Sequence, residues 1–253
     1  MQNENLENHS RRRIKIPEKF MGKPIKGAMA KVLAEAENPV ETINEPQNTT
    51  ENPKSGYIYI PSVNIFIAKE RTHLGANWYD CHKQLHEENL LMPTIPQFLA
   101  YINYLKANPN GTSLGDASKQ EIESILDDIL TVRNPWRAEW FDAKFEKKGE
   151  KLYINYNHRT DSNGNLIPKN SELLEDCLME DCYADILNPN KKGLPLIKLA
   201  KDNGGIYYWY PRENYVAGFC VDSGGAGLYC DGDPSCGYSG LGVFASVPKA
   251  HAP

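Results

Sequence analysis

Residues 205–244 read GIYYWYPRENYVAGFCVDSGGAGLYCDGDPSCGYSGLGVF, a palette found nowhere else in the chain. No Lys, Gln or Met falls in the interval; Tyr, Gly, Ser, Asp and Cys fill it. Antibody paratopes use a similar mixture: rigid amphipathic aromatics supply contact area, and small polar residues supply adaptable hydrogen bonds. Phe219 and Val221 alternate with Cys220 and Asp222. Ala226, Leu228, Cys230 and Gly232 alternate with Gly227, Tyr229, Asp231 and Asp233. A strand sends successive side chains to opposite faces, so this spacing predicts a two-sided ribbon. One side is apolar and uniform and fits a core. The other is an irregular mixture, expected to face outward as a binding surface. An aromatic cluster of Tyr207, Tyr208, Trp209, Tyr210 and Tyr215 precedes the ribbon, and so many exposed aromatics would ask for a ligand. The plainer alternative is a Gly/Tyr-rich β-meander that binds nothing.

Working outward, the bulk composition narrows the function classes. The 253 residues suit one domain of moderate size with a loose tail. A net charge of −5 argues against a general nucleic-acid binder, which needs a basic footprint. No apolar run approaches membrane-spanning length, and residues 14–20 (IKIPEKF) are no signal-peptide core, so a cytoplasmic or virion-associated protein is expected. The six cysteines are too few for a disulfide scaffold of this length and are expected to be mostly free thiols. Cys230 and Cys236 lack the spacing of a common zinc knuckle.

Residues 1–54 are polar and rich in Asn, Glu and Pro, and are expected to be largely flexible, with a short helix at 27–38 and a small basic patch at 11–15. The folded domain is expected over 55–253. Residues 57–68 (YIYIPSVNIFIA) read as strand, broken at Pro61. Residues 77–89 read as a helix capped by Asn77, with Trp78, Cys81 and Leu85 on its apolar stripe. His82 and His86 stand four residues apart, but no HExxH pattern and no third ligand accompany them, so they read as a polar helix flank. Capping boxes at Thr94 and Gln97 and at Ser118 and Glu121 open two further amphipathic helices. Trp136, Arg137, Glu139 and Trp140 read as core aromatics around an ion pair. A β-hairpin with a Lys148-Gly149 turn follows, then an Asn-Gly turn at 161–165, an acidic helix at 171–187 and a strand at 194–199.

The order of strand, helix with Trp and Cys, the phrase Leu91-Met92-Pro93-Thr94, a second helix with Phe98, and then strands resembles the C-type lectin fold. The ending is more specific. VAGF at 216–219, SGGA at 223–226, Leu228, Cys230, Pro234-Ser235 and LGV at 241–243 resemble the C-terminus of variable proteins of diversity-generating retroelements. In that family, error-prone reverse transcription randomises adenine-containing codons, often those of Asn, and writes the products into the ligand site of a C-type lectin fold. Randomising the first two bases of an AAC codon cannot give Lys, Glu, Gln, Met or Trp. In residues 205–244 only Trp209 and Glu213 break that limit, so both would belong to a fixed scaffold.

The resemblance therefore implies an α+β fold with a mixed twisted sheet, two or three flanking helices and a loop-rich ligand region at about 205–244. The ligand-binding, variable positions would be Tyr207, Tyr208, Tyr210, Tyr215, Cys220, Asp222, Gly227, Tyr229, Asp231, Asp233, Cys236, Tyr238 and Ser239. A viral, bacterial or archaeal protein is implied, binding a protein or glycan surface as a monomer, with no catalytic residue, metal or cofactor. Two departures concern the repeat boundary: Phe244 rather than Arg follows Val243, and a tail extends past it. Two alternatives share the fold. An oxidase of the formylglycine-generating type would rely on Cys230 and Cys236, with Arg212 the cation nearest in sequence. A calcium-dependent lectin would need Glu-Pro-Asn and Trp-Asn-Asp signatures, which the sheet region lacks.

Overall fold

The computed structural model describes residues 19–20, 23–24 and 56–249. The chain divides into two units, Met1–Thr50 and Glu51–Pro253. In the first, Lys19–Phe20 pairs antiparallel with Lys23–Pro24. The helix expected at 27–38 and the basic patch at 11–15 lie outside the described residues.

The second unit begins with β1 (Tyr57–Ile60) and β2 (Ile65–Ala68), which form a hairpin whose turn holds Pro61 and a left-handed Asn64 (φ 52°). Three helices follow. In α1 (Trp78–Glu87), the Asn77 side chain accepts the Asp80 N–H. In α2 (Ile95–Ala107), the Gln97 side chain accepts the Thr94 N–H at 2.8 Å. In α3 (Lys119–Leu130), Ser118 and Glu121 cap each other reciprocally. Each cap occupies an amide that a helix start otherwise leaves without a partner.

The main sheet is built from β3 (Ala138–Lys148), β4 (Lys151–Thr160), β5 (Leu166–Leu173), β6 (Cys182–Ala184), β7 (Ile206–Trp209), β8 (Val216–Asp222) and β9 (Gly225–Gly232). Its strand order is β5-β4-β3-β8-β9-β7-β6. Strand β10 (Leu241–Gly242) also joins β3, in parallel. The β9–β7 pair is parallel as well and the rest are antiparallel, so the sheet is mixed. The last strand, β11 (Ser246–Pro248), returns to pair with β2 and completes a three-stranded sheet with β1. The class is α+β, as the sequence implies.

Alternation along the central strands divides the core in two. Phe141 and Phe145 of β3, Phe219 and Val221 of β8, and Leu228 and Cys230 of β9 pack with Phe98, Leu105 and Ile122 from α2 and α3. Trp140, Cys220 and Tyr229 pack instead with Trp78, Cys81 and Leu85 of α1. The sheet is therefore covered on both faces along part of its length.

Several sequence expectations change. Residues 171–187 form no helix: Leu166–Leu173 is strand, irregular chain follows, and Cys182–Ala184 is strand again. Cross-strand bonds to Lys151–Thr160 hold Ser171, Glu172 and Leu173 extended, overriding the local acidic pattern. Residues 194–199 make only an isolated bridge, Ala184 to Lys198. Arg137 and Glu139 do not pair with each other; Arg137 meets Asp128, and Glu139 meets Arg71 at 3.0 Å. His82 is no polar flank, for it is fully buried.

Candidate binding groove

The outward face of the β8–β9 ribbon forms the floor of an open groove of about 480 Å³. Residues 233–241 fold back over this face to make one wall. The Trp78 N–H donates to the Pro234 carbonyl (3.1 Å), and the Gly75 N–H donates to the Leu241 carbonyl (2.9 Å), fastening the wall to the start of α1. Trp209 of β7 stands on the other side, and Trp136 and Trp140 complete an aromatic frame. The lining is mostly apolar, with carboxylates set among the rings, a pattern common to sites that bind organic groups.

Seven of the expected binding residues meet here: Cys220, Asp222, Tyr229, Asp231, Asp233, Cys236 and Tyr238. They differ in how free they are. Tyr238 is 69 % exposed. Asp233 is exposed and accepts from the Ser235 N–H (2.8 Å) and hydroxyl (2.7 Å), and these bonds hold its carboxyl below the ordinary range. Asp231 is half-buried, which raises its carboxyl; Arg212 at 3.0 Å opposes that rise. Asp222 accepts the Gly224 N–H at 2.6 Å, closing the β8–β9 turn.

Tyr229 and Cys220 depart from the expectation of a solvent-facing strand. Both are buried, at 9 % and 7 % exposure, because α1, Trp140 and the folded-back wall cover this part of the face. The Tyr229 ring lies edge-on to Trp140 with centroids 6.1 Å apart, and its hydroxyl donates to the Glu139 carbonyl at 3.5 Å. Burial pushes the Cys220 thiol up to about 12. These two residues form the groove's floor rather than its rim.

The other expected positions are scattered. Gly227 is buried beneath Trp209, and a Cβ there would come within 2.5 Å of the indole. Tyr207 lies under the same indole, ring centroids 4.5 Å apart. Tyr208 must be corrected: it points inward, is fully buried, and donates its hydroxyl to the Leu178 carbonyl at 3.2 Å. Strand alternation requires this, since Tyr207 and Trp209 take the outer face. Tyr210 stacks under the Arg212 guanidinium, 5.2 Å from ring centroid to cation. Tyr215 is exposed in the turn before β8, outside the groove lining. Ser239 lines a separate cleft beside Arg71 and Arg137.

Trp136 and Trp140 escape a reading centred on residues 205–244, because they enter the groove from β3 and the turn before it. Their signal is the NPWRAEWFD run, which reads equally well as core. Cys230 and Cys236 lie apart, the first sealed in the core with α2 and α3 and the second at the groove. Burial drives the Cys230 thiol well above its ordinary value, the opposite of what a nucleophile requires. In the Asn-Gly turn, the Asp161 carboxylate accepts from the Asn163 and Asn165 N–H groups at 2.8 Å each. Among the described residues, one group of side chains has the spacing of metal ligands: His82, Asp142 and His158, away from the groove.

Comparison of the chain with known protein families, curated proteins and solved structures returns no match. No helix among the described residues is long and apolar enough to cross a membrane.

Proposed function

We propose that this chain is a non-enzymatic binding protein of the diversity-generating retroelement type, with a C-type lectin fold. Its groove takes a protein or glycan surface, and this sequence is one variant among many. The observation that carries the reading is the gathering of Cys220, Asp222, Tyr229, Asp231, Asp233, Cys236 and Tyr238 around one groove, while the residues between them on the strands hold the core. A mixed sheet flanked by helices, with its ligand region near the carboxyl end, agrees with the fold the resemblance implies. Trp209 is one of two residues in 205–244 that the codon argument assigns to a fixed scaffold, and it forms a wall of the groove. Tyr and Trp anchors in a desolvated pocket are the side chains that dominate binding energy at interfaces.

The test is to sequence sibling copies of the gene together with the adjoining template repeat. Substitutions are expected at Asp222, Tyr229, Asp231, Asp233, Cys236 and Tyr238, with Phe219, Leu228, Cys230 and Trp209 constant. Substitutions spread evenly over both sets, or no template repeat nearby, would overturn the reading.

A further inference from the structure

Beneath α1, on the sheet face that also carries the groove floor, three buried side chains converge from three elements. His82 comes from α1, Asp142 from β3 and His158 from β4, and one ligand atom from each lies within 4.8 Å of the other two. His82 Nε2 is 3.6 Å from Asp142 Oδ1, and the same carboxylate oxygen meets His158 Nδ1. Asp142 also accepts the His158 backbone N–H at 3.0 Å.

Both ring nitrogens of His82 are buried and lack a hydrogen-bond partner. Buried polar groups are nearly always paired, and an unpaired one costs roughly 1–3 kcal/mol. An imidazole held here with neither nitrogen satisfied needs an explanation from outside the protein's own hydrogen bonds. The buried Asp142 carboxylate adds a negative charge that favours a cation between the rings.

We propose that His82, Asp142 and His158 bind a divalent transition-metal ion of the zinc type, which pins α1 to β3 and β4. Two imidazoles and a carboxylate are an ordinary zinc donor set. Tetrahedral bonds of about 2.0–2.1 Å place donor atoms roughly 3.3 Å apart, so the ion fits after the direct His158–Asp142 bond opens slightly. Trp78 walls the site, its ring centroid 4.3 Å from His82 and 5.0 Å from His158.

The fourth ligand is His86 or a water. His86 Nδ1 contacts the Thr160 hydroxyl at 2.8 Å, which orients the ring as supporting hydrogen bonds do around metal centres. Its Nε2 is buried without a partner, and its ring centroid lies 5.7 Å from that of His82. His86 also lines an open cleft with Arg159 and Thr160, which gives an ion a route inward. Arg159 is the opposing cation; its side chain reaches the His158 carbonyl at 2.7 Å on an exposed residue, where solvent screens it.

The experiment uses the full, untagged chain, stripped with a chelator and titrated with Zn²⁺ and, separately, Co²⁺. One equivalent of Co²⁺ is expected to give the visible absorption of a four-coordinate site, and Zn²⁺ to displace it and raise Tm by several degrees. His82→Phe, which preserves the stacking on Trp78, is expected to abolish both effects; His158→Gln is read the same way should that chain not fold. Absence of a stoichiometric cobalt spectrum in the unmodified chain overturns the proposal. So does an unchanged spectrum in a folded variant, which would place the ion on the surface.

Discussion

Leu228 and Tyr238 offer a direct comparison of the two faces of the ribbon. Leu228 is fully buried against Phe219 and the α2–α3 layer, whereas Tyr238 is 69 % exposed at the groove's edge. Leu228→Ala removes three carbons from the core at about 0.8 kcal/mol each, or about 2.4 kcal/mol. The cavity left behind raises the loss to roughly 3–5 kcal/mol. At about 2–4 °C per kcal/mol for a domain of this size, Tm falls by roughly 6–20 °C. Tyr238→Ala removes a larger side chain, yet its expected effect on stability is within about 0.5 kcal/mol. Urea unfolding followed by tryptophan fluorescence measures both, provided the slope m is unchanged. A loss below about 1 kcal/mol for Leu228→Ala would refute the reasoning. So would a loss above that for Tyr238→Ala, because the wet side would then be holding the fold.

Two further outcomes follow from the same structure. Burial raises the Glu139 carboxyl from its ordinary 4.5 to about 8 despite Arg71 beside it, so the folded chain keeps a proton that the unfolded chain has released. That contribution is complete below about pH 4.5 and disappears as the pH rises through about 8, so the unmodified chain should lose stability relative to Glu139→Gln across that window; a flat difference would mean that the Arg71 ion pair holds Glu139 charged. Among the six free cysteines, Cys236 at the groove is expected to react with a thiol reagent in the native protein, while Cys81, Cys220 and Cys230 react only on unfolding. Rapid native labelling of Cys230 would show that the core face of β9 opens to solvent.

Much of the fold is legible in local pattern. The Asn77, Thr94 and Ser118 caps are visible because the polar residue and the amide it serves lie within three positions. The β3–β4 hairpin is legible from alternation and its Lys148-Gly149 turn, where Gly149 adopts φ 62°. Residues 171–187 mislead because Glu172 and Leu173 take their conformation from a neighbouring strand, which local propensity does not record. In the groove, alternation sorts Leu228 from Tyr229 correctly, but exposure depends on what lies above. The wall that buries Tyr229 and Cys220 is tied down by contacts to residues 75–78, far away in sequence. His82 shows the same limit: Asp142 and His158 become its neighbours only when β3 and β4 pass beneath α1.

The placement of β11 bears on how change at the groove is tolerated. Ser246–Pro248 lies downstream of every groove residue, yet it pairs with Ile65–Ile67, and Ser246 also bridges Leu91. A stop codon or frameshift within 205–244 therefore removes the final stave as well as the groove, and the small sheet is left open at its edge. On the proposed reading, replacements confined to the groove leave that closure in place, whereas a chain cut short within 205–244 lacks it.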